Sequence, residues 1–211
     1  MRFCGPRIFF YGLPSILSLY RIVVQLGVKS DLDMSIESQS LKPVEGVAEQ
    51  IGYYISGLRE VREQLRDVVA DLTVEETSAK LMPSTHSIGQ LILHCGEAEW
   101  WWIHSVVSER PIDREEAKQK AHWDVLMDEN FAEHGYTAEF CVSEIDQISD
   151  WSLEVLAKLQ DHDLGRLFGY ENREGERIEK SLRWILHHLI DHEAQHKGQI
   201  LMLKRLLREN K

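Results

Sequence analysis

Two histidines, His192 and His196, stand four residues apart near the end of this 211-residue chain. On a helix that spacing points both imidazoles the same way, with Cβ atoms roughly 5–6 Å apart. Both fall on the face that carries Leu182, Ile185, Leu189, Ile200, Leu203 and Leu207, the stripe expected to be buried. A buried imidazole needs partners for its ring nitrogens, and each one left unpaired costs about 1–3 kcal/mol. One divalent cation would satisfy a nitrogen on each ring, so the pair reads as half of a metal site. Glu193 abuts the pair and is a candidate catalytic base or orienting group. His188, one turn earlier, is a candidate for the same roles or for a substitute ligand. For both, a plain boundary position on the helix is the competing reading.

Another histidine, His94, sits at the edge of a second apolar stripe formed by Ile88, Leu91, Ile92, Cys95, Ala98, Trp102, Ile103 and Val106. Such an edge suits a ligand reaching over a shared cavity, and equally a solvated or hydrogen-bonded boundary histidine. Glu99 lies near the centre of that stripe, an awkward place for a carboxylate unless it orients a histidine. Cys95 points about 100° away from His94 and reads as a small core residue. Trp101 and Trp102 are candidate pocket walls, although aromatics at this spacing commonly pack in cores.

Two better-known metal patterns fail. His192 to His196 spell H-E-A-Q-H, matching the HExxH zinc-peptidase pattern. Little chain remains to supply a third ligand, and no active-site strand is expected upstream. A carboxylate-bridged di-iron bundle needs two E-x-x-H motifs and two further inward glutamates. Only Glu193 and His196 have that spacing; His94 and Glu97 run in reverse order.

The elements that position these residues are helices. After Pro43, Val47, Ile51, Tyr54, Leu58, Val61, Leu65, Val68 and Leu72 alternate spacings of four and three, the seam of a bundle helix. Thr73 with Glu76, and Ser87 with Gln90, have capping-box spacing, the second opening a helix over about Ile88–Val107 that Pro111 stops. Residues 108–134 are polar with Trp123, Leu126 and Phe131 as anchors, which suggests a loop with a short helix and a role as a lid. His104, His122 and His134 are expected to face solvent there. Thr137 is a plausible N-cap for a third helix with Cys141, Ile145, Ile148, Ser152, Val155, Leu156 and Leu159 on its apolar face. The segment LFGYENREGERIEK makes a turn or short hairpin into the last helix. The fold class is therefore all-α, a four-helix bundle with a short extra helix or loop between its second and third helices, and bundle cores are where such proteins build metal sites.

Bulk properties narrow the function. Apolar residues make up 43% and charged residues 28%, ordinary for a globular protein. The net charge of −11, without any cluster of Lys and Arg, argues against nucleic-acid binding. Cys4, Cys95 and Cys141 form no CxxC pair and no disulfide framework, so a reducing cytoplasm is the expected location. Residues 1–33 differ from the rest. Arg2 and Arg7 precede an apolar run that imitates a signal peptide or anchor, but Pro14 and Arg21 interrupt it. We read 1–33 as an N-terminal extension outside the fold, with Met34 as the start and 34–211 as the bundle domain; a surface-lying tail and membrane insertion are the alternatives.

The combination SIGQLILHCGEAEWWWI with HHLIDHEAQHKGQI at the chain's end resembles the DinB-like superfamily of four-helix-bundle metalloproteins, which are related in fold to the bacillithiol and mycothiol S-transferases. The resemblance spans roughly residues 43–207. It implies that His94, His192 and His196 bind a divalent metal, and the H-x-G-Q ending is matched by His196, Gly198 and Gln199. Three neutral imidazoles suit zinc, with nickel, iron and manganese as alternatives. Three ligands leave a coordination position open for water or substrate. The related transferases imply a low-molecular-weight thiol that becomes a thiolate at the metal and attacks a small electrophile. A metal-dependent hydrolase, or a metal-binding stress-response protein without catalysis, are the other functions in view. Homodimerisation is a further implication of the resemblance.

Overall fold

The computed structural model describes residues 40–209; the 1–33 extension with Cys4, and Met34 beyond it, lie outside them. Six helices and one hairpin follow in order: α1 (Glu49–Val69), α2 (Val74–Ser78), α3 (Ile88–Trp100), α4 (Arg114–Ala121), α5 (Ala138–Leu156), β1 (Leu167–Glu171), β2 (Arg177–Ser181) and α6 (Leu182–Glu209). Four of them are long. Around the bundle α1 neighbours α6, α6 neighbours α3, α3 neighbours α5, and α5 returns to α1. The expected all-α bundle with a short extra helix between its second and third long helices is what the chain forms. No helix among the described residues is long and apolar enough to cross a membrane.

Local chemistry sets the helix starts. Ser87 and Gln90 close a capping box at α3, Thr73 and Glu76 another at α2, and Thr137 accepts the amide hydrogen of Phe140 at α5. Beyond Trp100 the α3 rod widens into a π-helical turn, Trp101–Val107, with Ser108 donating to the carbonyl of Ile103 and Arg110 to that of Ser105. Gly96 lets α3 and α5 approach closely, since a Cβ there would lie 2.7 Å from side-chain atoms of Ile145 and Ile148. The hairpin pairs Leu167 with Ser181 through Glu171 with Arg177 and leads directly into α6.

Residues 108–134, expected as a loop with a short helix and a role as a lid, are packed onto the bundle. Ala117, Ala121, Val125 and Phe131 are buried, and the Gln90 amide donates to the carbonyls of Val125 and Asp128. The polar composition that suggested a cover belongs to the outer face of a packed layer. His134 is exposed, as expected, and paired with Asp128, but His104 and His122 are half-buried, the latter 2.9 Å from Glu144.

The core is divided. One apolar cluster gathers Leu58, Ile103, Phe168 and Leu186; the other gathers Leu65, Ile92, Ile145 and Ile200. Between them on the helices lie Arg62, Glu99 and Glu193, all buried and hydrogen-bonded together. The Arg62 guanidinium binds both Glu193 oxygens at 3.1 and 2.7 Å, Glu99 at 3.0 Å and the Ile145 carbonyl at 2.9 Å. Ser149 donates to Glu99 at 3.1 Å. This layer therefore touches all four long helices. It also corrects the seam of α1, whose buried residues are Ile55, Arg62 and Val69 where Tyr54, Val61 and Val68 were expected. An apolar pattern passes over an inward arginine and settles on the valine beside it.

Candidate metal centre

His94 is on α3; His192 and His196 are on α6, the helix packed beside it. Each offers one nitrogen, and the three nitrogens lie within 4.8 Å of one another. Ring centroids are 5.1 Å apart for His94 and His192, 5.2 Å for His94 and His196, and 4.4 Å for His192 and His196, a compact triangle. The Nε2 atoms of His192 and His196 are 3.2 Å apart. Two nitrogens bound to one tetrahedral zinc at about 2.0–2.1 Å would be separated by about 3.3 Å. The α6 pair thus has the separation a single cation requires, and the three nitrogens together spread wider, to 4.8 Å at most.

Neighbouring groups fix which nitrogen faces inward. With its proton on Nδ1, His94 donates to Glu97 Oε2 at 2.7 Å, leaving the Nε2 lone pair free. His196 does the same through Nδ1 to Gln199 Oε1 at 2.9 Å. Glu97 is itself held, because its other oxygen accepts the Asp124 amide hydrogen at 2.7 Å. A carboxylate behind a ligating imidazole fixes the tautomer and raises the ring's basicity. Burial, reinforced by the imidazoles of His196, His94 and His188, pushes the pKa of His192 down to about 3. Burial lowers that of His196 too, against the raising effect of its bond to Gln199. The pair is therefore neutral at pH 7, the form a metal requires.

The histidine pair is not central on the buried face of α6. Leu182, Ile185, Leu186, Leu189, Glu193 and Ile200 are buried, whereas His192 and His196 are half-buried on the flank toward α3. Glu193, the candidate catalytic base, occupies the centre, and both its oxygens are engaged by Arg62. Two carboxylates share one guanidinium there. Burial pushes Glu193 up against the pull of Arg62, and Glu99 adds to the rise. For Arg62, burial opposes the charge, but Glu193 and Glu99 outweigh it and its pKa is raised. Glu99 likewise serves Arg62 and not a histidine.

His188 is outside the triangle. Its ring stacks on Trp184 at 4.8 Å and lies 5.7 Å from that of His192. Trp101 and Trp102 pack against Tyr170 of the hairpin, and Trp102 also meets Trp184 and His188 edge-on. On the other flank a groove of about 590 Å³, lined by Leu91, Met202 and Leu203 among others, runs beside Gln199. Cys95 and Cys141 are buried core thiols; burial raises both, Cys141 to about 12.

The sequence reading missed Glu97 and Gln199 as orienting groups. Each stands three residues after its histidine, one helical turn on, and that spacing was the available signal.

The sequence pattern of mycothiol-S-transferases matches residues 55–210, a stretch that contains all three histidines. The chain belongs to the mycothiol-S-transferase family. This is a DinB-like family, in agreement with the resemblance carried by the two histidine segments. Among solved structures, the conserved protein of locus from Enterococcus faecalis is similar at a TM-score of 0.54 and 16% identity, over 72% of this chain and 94% of that one. That likeness concerns the fold alone. No curated protein matches the chain.

Proposed function

We propose that this member of the mycothiol-S-transferase family is a metal-dependent transferase that joins a low-molecular-weight thiol to a small electrophile, with His94, His192 and His196 as the metal ligands. One observation carries the reading: three imidazole nitrogens from two adjacent helices converge within 4.8 Å, and two of the rings are oriented through Nδ1 by Glu97 and Gln199. Three neutral nitrogens suit zinc best, and leave room for a further ligand. A divalent cation held there supplies Lewis acidity that favours a thiol's deprotonated form near neutral pH.

The chain's own residues do the rest. Glu97 and Gln199 hold two rings in register. The aromatic group around Trp102 and Trp184 limits water on one flank, and the Leu91–Met202–Leu203 groove offers an apolar berth for the electrophile on the other. In the overall reaction the thiol gives its proton to solvent, its sulfur forms a bond to the electrophilic carbon, and the leaving group departs with the bonding pair. Cys95 and Cys141 take no part, being buried and protonated.

The test is untagged protein, elemental analysis, and a panel of thiols including mycothiol with a chromogenic aryl halide. We expect close to one equivalent of divalent metal and thiol-dependent turnover. The variant His192→Ala/His196→Ala should lose both while keeping its helical circular dichroism. Metal retained by that variant would refute the triad. Metal lost without any turnover in the wild type across the panel would refute the transferase and leave only the binding site.

A further inference from the structure

A second cavity, of about 300 Å³, lies where the π-helical turn meets the start of α4 and the end of α5. Its apolar lining comes from Trp100, Val107, Val155 and Leu159. None of the three histidines of the metal centre lines it.

The charged groups around it are unequally engaged. Asp113 caps α4, one oxygen accepting the amide hydrogens of Glu115 and Glu116 at 3.0 and 3.1 Å. Glu116 is paired with Lys120 at 2.8 Å. Arg110 and Lys158 also line the cavity, and neither side chain has an ion pair or hydrogen bond among the described residues. In a protein of net charge −11, Arg110 and Lys158 balance the two carboxylates of this lining, and they are its charged groups without an internal partner.

Two further observations fall at the same place. The ring of His104 stacks on Trp100 at 4.2 Å, and its Nε2 is buried without a partner. That nitrogen has no accessible surface, so the ring offers the cavity its edge and not a hydrogen bond. Next to Arg110, Glu109 has φ 52°, a left-handed conformation unfavourable for its side chain. The strain is held by reciprocal bonds: Arg110 N–H donates to the Ser105 carbonyl at 3.0 Å, and Ser105 Oγ–H donates to the Arg110 carbonyl at 2.8 Å. Strained backbone of this kind concentrates at ligand sites, and here it sets where Arg110 starts.

We propose that this cavity is a second ligand site, taking a small organic carboxylate whose apolar body rests on Trp100, Val107 and Leu159 and whose charge meets Arg110 and Lys158. The volume is at the small end for ligand pockets, which excludes a bulky conjugate and suits a short aliphatic or aryl acid. Of the lining carboxylates, Asp113 turns one oxygen to the α4 amides and Glu116 one to Lys120, whereas Arg110 and Lys158 are wholly unengaged among the described residues.

The experiment is titration of the full chain with hexanoate, hexanol and hexylamine, followed by the Trp100 indole N–H resonance. Hexanoate should shift that resonance saturably, with the alcohol and the amine binding at least tenfold more weakly. Arg110→Ala/Lys158→Ala, both exposed positions, should melt like the wild type and bind hexanoate at least tenfold more weakly. His104→Phe keeps the stack on Trp100 and should bind hexanoate within about twofold of the wild type. The variant His192→Ala/His196→Ala should bind hexanoate unchanged, which separates this site from the metal centre. Hexylamine binding as well as hexanoate, undiminished binding by the double alanine variant, or no saturable shift would each overturn the proposal.

Discussion

Replacing Arg62 by methionine should remove about 3–5 kcal/mol of stability, the range expected when one partner of a buried ion pair is deleted. The structure supports the upper part of that range. The Arg62 side chain is 3% exposed, and its loss strips Glu193 of both its charged hydrogen bonds and Glu99 of one. Against a total stability of about 5–15 kcal/mol, that is a third or more. The pH dependence separates this cause from a simple packing defect. Two carboxylates left without a counter-charge in a buried layer have folded pKa values above the unfolded value of about 4.3. The folded variant then binds more protons than the unfolded chain, so its stability rises as pH falls from about 8 to 5. Urea denaturation of wild type and variant across that range, followed by circular dichroism, measures both effects. Adding Glu99→Gln and Glu193→Gln to Arg62→Met should recover most of the loss. A penalty below about 1 kcal/mol, or a triple variant no more stable than the single one, would refute the account of the polar layer.

Three other expectations follow from the structure. Glu97→Ala should weaken metal binding about 10–100-fold by freeing the His94 ring, with little change in helical content, as metal competition against a chromogenic chelator would show. In a Cys4→Ser chain, the two remaining thiols should resist a disulfide reagent at pH 8 and react only in denaturant, because burial raises both; fast reaction of the folded protein would contradict their placement. Hydrogen bonds from Lys204 and then Arg208 lower Asp71 to about 2, below its unfolded value, so its contribution is present above about pH 4 and lost as pH falls toward 2. The melting-temperature difference between wild type and Asp71→Asn should therefore narrow between pH 6 and pH 3.

Much of the molecule could be read from residue spacing. The capping pairs at Thr73, Ser87 and Thr137 mark helix starts because their short side chains satisfy free amides within one turn, a local interaction. The three histidines were legible for a related reason: i and i+4 on one rod fixes two rings together, and His94 sits at a stripe edge facing a neighbour. What spacing could not supply was any pairing across helices. Glu99 on its own is an anomaly in an apolar stripe, Glu193 on its own is a candidate base, and Arg62 looks like one more surface cation on α1. Only when α1, α3 and α6 lie side by side do the three charges satisfy one another. The same holds for residues 108–134, whose polarity describes their outer surface and conceals the burial of Ala117, Ala121 and Val125 beside the expected anchor Phe131.

Glu97 grips the His94 ring with one oxygen and the Asp124 amide with the other, so the connection after α4 and the histidine cluster share a single rigid strut. Lengthening or shortening that connection would tilt the His94 imidazole without altering any ligand. Relatives that differ there could tune how tightly they hold the cation through the connecting chain alone.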